Sequence, residues 1–217
     1  MIDIASQLNA LHREVGSRHA ADGESIALLL RRRYDAPIED TWDALTDPDR
    51  VKRWFMPLSG DLRAGGTFQL EGNAGGDILT CRPPRSLTVT FGGPTSILAL
   101  RLSPHGEGGT QLELEHTVPL EMAGSGAGAL YVGPGWDGAL MGLDLYLRGV
   151  VSDDPVAAAS SPEAQEFSAR SVTAWAEVVA ASGTATSEEI GAAREVSLQQ
   201  FAPDPSAAQD NGNGSDV

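Results

Sequence analysis

The stretch GPGWDGALMGLDLYLRGV, residues 133–150, decides the fold. Pro134 suits the first turn of a helix, where the N–H it lacks would find no partner in any case. At helical spacing Asp137, Met141, Asp144 and Arg148 fall on one narrow stripe. Trp136, Ala139, Leu140, Leu143, Tyr146, Leu147 and Val150 fill the remaining circumference. The stripe is expected to face outward, and so wide an apolar face predicts a helix largely enclosed by a sheet.

That sheet is legible upstream. Residues 110–117 alternate, with Leu112, Leu114 and His116 on one face and Gln111, Glu113 and Glu115 on the other. Such alternation predicts an antiparallel strand with one wet side. Further strands are predicted at 67–71, 77–81, 86–91 and 96–102, separated by Gly or Pro clusters. Residues 26–34 form a strongly apolar run, and residues 11–19 precede it across an Asp22-Gly23 turn signal, which predicts a hairpin. Asp3 is placed to cap a short helix through Ile4, Leu8 and Leu11. Pro37 opens another, with Glu39 and Asp40 at its positive end, and Asp47-Pro48 restarts a third carrying Val51, Trp54 and Phe55.

The 217 residues carry 30 acidic and 15 basic side chains, a net charge of −15, with 41% apolar residues. A core can be buried, and a broad basic face for nucleic acid or anionic lipid is not expected. No apolar run reaches the roughly 18 residues of a membrane span, and the N-terminus lacks the pattern of a signal peptide. The single cysteine, Cys81, excludes an internal disulfide and reads as a small buried filler in a cytoplasmic protein. Residues 1–150 hold 19 acids and 13 bases, whereas residues 151–217 hold 11 acids and only Arg170 and Arg194. The shift coincides with the breaker cluster Ser152-Asp153-Asp154-Pro155. Three parts are therefore expected: a domain over 1–152, an acidic helical extension over 153–201 and a disordered tail over 202–217. In the extension Ser161 caps a helix over 162–182 closed by Gly183, and Thr186 with Glu189 forms a capping box for the next. Phe167, Val172, Trp175, Val178 and Val179 are too many apolar groups for a solvated helix, so Trp175 is expected to dock on the main domain or across a homodimer.

The elements and motifs together resemble a known family. Tyr34-Asp35-Ala36-Pro37, Trp42, Asp47-Pro48, Trp54-Phe55-x-Pro57, Gly60-Asp61-Leu62-Arg63-x-Gly65-Gly66-x-Phe68, Pro83-Pro84-Arg85-x-Leu87 and Gly135-Trp136 occur in the order seen in START-like (SRPBCC) proteins. The chain resembles the subgroup named after the activator of heat-shock-protein-90 ATPase, over roughly residues 10–150. The resemblance implies an α+β helix-grip fold, a curved antiparallel sheet around a long helix, with a cavity between the two. With one such domain and no preceding chaperone-docking domain, the chaperone activity is not expected to transfer. Most motif residues have structural work: Pro37 starts a helix, Trp42 and Trp54 pack, and Gly65-Gly66 turns the chain.

Given that cavity, Trp54, Phe68, Leu98, Leu100, Leu112, Leu114, Trp136, Leu140 and Leu143 are expected to line it, with Arg32 and His116 as candidate polar anchors. Arg32 is in register with Ile26, Leu28, Leu30 and Tyr34. A buried guanidinium needs an anion or carbonyl partner, either a ligand carboxylate or a protein acid, unless the side chain reaches water at the sheet edge. The expected function is binding of a small apolar or amphipathic ligand. A cavity enzyme of cyclase or hydrolase type is the alternative, with His116 as general acid or base. A protein-interaction module using the acidic extension is a third. No cofactor and no metal is expected, since His12, His19, His105 and His116 lack ligand spacing. Gly133-x-Gly135-x-x-Gly138 matches a dinucleotide fingerprint in letters only, because a proline occupies its cradle and no parallel strand follows.

Overall fold

The computed structural model describes residues 2–20, 23–150 and 152–203. Asp22 of the turn signal, and the tail beyond Pro203, lie outside the described residues. After a short helix α1 (Ile4–Asn9), N-capped by Asp3, come strands β1 (His12–Ala20) and β2 (Gly23–Tyr34), which pair as the expected hairpin. Helices α2 (Ile38–Thr46) and α3 (Pro48–Val51) follow, and Trp54 and Phe55 lie past the end of α3 in the connection to the sheet. Strands β3 (Leu58–Gly60), β4 (Thr67–Leu70), β5 (Gly75–Arg82), β6 (Ser86–Thr90), β7 (Ile97–His105) and β8 (Gly109–Pro119) complete one antiparallel sheet in the order β1-β2-β8-β7-β6-β5-β4-β3. A four-residue helix α4 (Leu120–Ala123) and a 3-10 turn over Gly126–Tyr131 lead into the long helix α5 (Gly133–Leu147). Helices α6 (Pro155–Ala159), α7 (Pro162–Ser182) and α8 (Ser187–Phe201) end the described chain. This is the α+β helix-grip fold.

Register sorts the sheet into rows. On the concave face Leu28, His116, Leu98, Val89 and Ile78 align across five strands. Leu30, Leu114, Leu100, Leu87 and Cys81 form the next row, and Arg32, Leu112 and Leu102 a third. Ile78 and Cys81 are three apart, a spacing that alternation would send to opposite faces. A register shift between Ile78 and Thr80 restores both to the concave side. The convex face is polar. Arg31 bonds Glu14 and Glu113 at 2.7 and 2.8 Å, and Arg101 joins Glu113 to Glu115 at 2.9 and 3.0 Å, an ion-pair strip across four strands.

The long helix does not turn its polar stripe to solvent. Asp137 is fully buried, Met141 is buried, and the Asp144 side chain is only 14% exposed, leaving Arg148 alone outward. The stripe faces the β1–β2 hairpin and α7, which packs on both α5 and β1. Phe167, Val172, Trp175 and Val179 of α7 are fully buried in this layer. Gly133 permits the approach: a Cβ there would lie 2.5 Å from the Trp175 ring. Gly183 closes α7 in the left-handed conformation, and the Thr186–Glu189 capping box opens α8.

Candidate functional site

The helices fill the concave face unevenly. α5 and α7 press on β2 and β1, while α2 touches β7, β8 and α5 near the middle of the sheet. Between α2–α3, the first half of α5 and strands β4–β8 lies a cavity of about 150 Å³. Eight of the expected residues line it: Trp54, Phe68, Leu98, Leu100, Leu112, Leu114, Trp136 and Leu140. Leu143 is fully buried but packs in the core and is not part of the wall. Phe55, Leu58, Leu62, Ile78, Val89, Phe91 and Cys81 also line it, although sequence reasoning did not choose them. Leu62 is among the exposed apolar residues, so the opening lies on the side of the β3–β4 connection.

Cys81 reaches the wall because of the irregularity in β5. Its side chain is part-buried, and burial pushes its thiol pKa up, which keeps it protonated and poorly nucleophilic at neutral pH. No acid, base or carboxamide stands in the lining.

His116 lies behind the wall rather than in it, 5% exposed. The Trp136 indole N–H donates to His116 Nδ1 at 3.1 Å, and His116 Nε2 lies 2.8 Å from Ser96 Oγ. An indole nitrogen only donates, so Nδ1 must be the acceptor and the ring proton sits on Nε2, donated to Ser96. Burial lowers the His116 pKa to about 4. The ring is therefore neutral at physiological pH with both nitrogens engaged. Phe91 packs against both partners, 5.9 Å from the His116 ring and 5.1 Å from the Trp136 ring.

Arg32 is also on the concave side but away from the cavity, under the C-terminal half of α5. Its Nη2 donates to Gln7 Oε1 at 2.7 Å and lies 3.1 Å from Asp144 Oδ2, so its anion is a protein acid. Gln7 closes the triangle by donating to Asp144 at 2.8 Å. A second buried pair stands two turns up the helix, where Arg13 Nε donates to Asp137 Oδ2 at 2.8 Å and Ser171 Oγ donates to the same oxygen. Burial outweighs these partners and raises the Asp137 carboxyl pKa to about 6. Both pairs fasten the long helix to the hairpin. Among the described residues no cluster of three or more His, Cys, Asp or Glu could hold a metal, and no helix is long and apolar enough to cross a membrane.

A curved sheet gripping a long helix over an apolar hollow defines a START-like protein. Within that class the chain belongs to the family described as activator of Hsp90 ATPase homolog 1-like protein, whose model matches residues 35–148. CalU16 from Micromonospora echinospora is similar: its crystal structure is 44% identical, covering 78% of this chain and 98% of that one, with a TM-score of 0.65. Its solution structure gives 42% identity, 80% and 97% coverage and a TM-score of 0.66. The conserved protein of unknown function EF2215 from Enterococcus faecalis shares the fold at 17% identity, covering 81% of this chain and 95% of that one, with a TM-score of 0.56. No curated protein matches the chain.

Proposed function

We propose that the protein binds a small apolar molecule, or the apolar part of an amphipathic one, in the cavity between sheet and long helix. The carrying observation is the hollow itself. Well-folded cores leave few voids larger than a water molecule, and this one, open on one side, is lined almost wholly by aliphatic and aromatic side chains. An apolar space near 150 Å³ accepts a molecule about the size of one substituted ring. Affinity comes from apolar burial, at about 25 cal/mol per Å² removed from water. Catalysis by His116 is the weaker reading, because both ring nitrogens are already bonded and the ring stays neutral behind the wall.

Leu114→Trp tests the proposal. Leu114 sits in the middle of its row with Leu30 and Leu100 on either side, so an indole there projects into the hollow. An apolar fluorescent probe should bind the parent and not the variant, with the melting temperature retained. If the space were closed in solution, overpacking would cost about 1–3 kcal/mol instead. Lost stability with no probe uptake by the parent would sink the binding reading.

A further inference from the structure

We infer that the portion of ligand held inside is an uncharged ring without hydrogen-bonding groups, so that the protein discriminates against hydroxylated or acidic analogues; this rests on the binding reading above. The strong side-chain donors of the wall are already committed elsewhere. Trp136 gives its one N–H to His116, and Trp54 gives its own to the Ala44 carbonyl at 2.9 Å. The Thr46 hydroxyl donates to the Trp42 carbonyl at 2.8 Å. An indole has a single donor and no acceptor, so neither tryptophan has anything left to offer a ligand. Along the β6–β8 part of the wall the strand backbones are paired in the ladders, and the α5 backbone is paired within its helix. Of the side-chain heteroatoms in the wall, what remains is the Cys81 thiol, a weak donor and weak acceptor, and the acceptor lone pairs of the Thr46 hydroxyl at the end of α2.

A hydroxyl taken in among the leucine and aromatic side chains, away from Thr46, would give up its water and find no partner, a penalty of roughly five- to 150-fold in affinity. A carboxylate would lose more, because no cation stands in the wall. Shape points the same way. The chain has 5 Phe, 4 Trp and 3 Tyr, and five of those rings, Trp54, Phe55, Phe68, Phe91 and Trp136, converge on this one cavity. Aromatic faces and edges favour another ring in offset or edge-on contact. A polar remainder of the molecule would have to project through the opening beside Leu62.

Toluene, phenol and benzoate form a near-isosteric series for the test. Their binding to the full chain is measured by calorimetry, and the site is located by protection of Cys81, the sole cysteine, from methyl methanethiosulfonate. Toluene should bind at least tenfold more tightly than phenol and slow the modification of Cys81, while benzoate should not bind detectably. Phenol or benzoate binding as tightly as toluene, with Cys81 protected, would overturn the selectivity and leave the binding reading standing. Toluene binding without protection places its site elsewhere and overturns the inference. Failure of all three to bind would overturn both.

Discussion

Replacing Asp137 by alanine should cost about 3–5 kcal/mol of stability, the range for removing one partner of a buried ion pair. Arg13, with a side chain only 8% exposed, would keep its charge and lose its carboxylate, and Ser171 would lose its acceptor. For a chain of this size, each kcal/mol moves the melting temperature by about 2–4 °C. Thermal or urea unfolding would register the loss. Asp49→Ala is the control, because the Asp49–Lys52 pair is exposed on both sides and screened by water, so its loss should leave the melting temperature nearly unchanged. The double variant Arg13→Met with Asp137→Leu should recover most of the loss, since apolar replacement of a whole buried pair is often neutral or better. An Asp137→Ala protein within 1 kcal/mol of the parent would mean that Arg13 escapes to water and that the pair does not fasten the helix.

That pair also marks the limit of what the sequence makes legible. The alternation of residues 110–117 and the wide apolar face of residues 133–150 predict sheet and helix from side chains alone, and both stand where periodicity puts them. The Asp137–Asp144 stripe looks like a solvated edge, because one helix viewed in isolation cannot say what will cover its polar face. Partners distant in sequence decide it: Arg13 on the first strand and Ser171 on α7 take Asp137, and Gln7 and Arg32 take Asp144. Periodicity also passes over β3, α4 and α6, which are three to five residues long and too short to show any repeat.

The family resemblance, not alternation, implies the cavity, but the facing of its wall residues is legible where rows follow simple alternation. Leu98, Leu100, Leu112 and Leu114 share a face by spacing of two, and register places all four in the wall. Cys81 was not legible, since its orientation depends on a shift in β5 that no residue pattern announces. His116 does face the concave side, yet Trp136 and Phe91 stand between it and the hollow. Arg32 likewise faces that side, but its row runs beneath the far end of the helix, where Asp144 waits. A face can be read from parity, whereas position along the cavity depends on where the long helix crosses the sheet.

The parent protein should show little net change in stability from His116 and Asp137 between pH 6.5 and 4.5, because the two oppose each other. His116 is pushed down from 6.5 to about 4 by burial, so on acidification the unfolded chain takes up a proton that the native ring refuses. Its contribution is present above pH 6.5 and is lost as pH falls. Asp137 is pushed up from 3.8 to about 6, so the native carboxyl takes up its proton first, and its contribution is present at low pH and lost as pH rises through 6. Each displacement corresponds to about 3 kcal/mol in full, and on the order of 2 kcal/mol within this window. Single variants should uncover the hidden terms. Asp137→Asn leaves His116 unopposed and should lose about 2 kcal/mol more than the parent on going from pH 6.5 to 4.5. His116→Gln, whose carboxamide can still accept from Trp136 and donate to Ser96, should gain about the same amount over that interval. Urea midpoints at four or five pH values read both slopes. Parallel curves for the parent and His116→Gln would mean that the imidazole titrates normally in the folded protein, which is incompatible with a neutral ring held between Ser96 and Trp136.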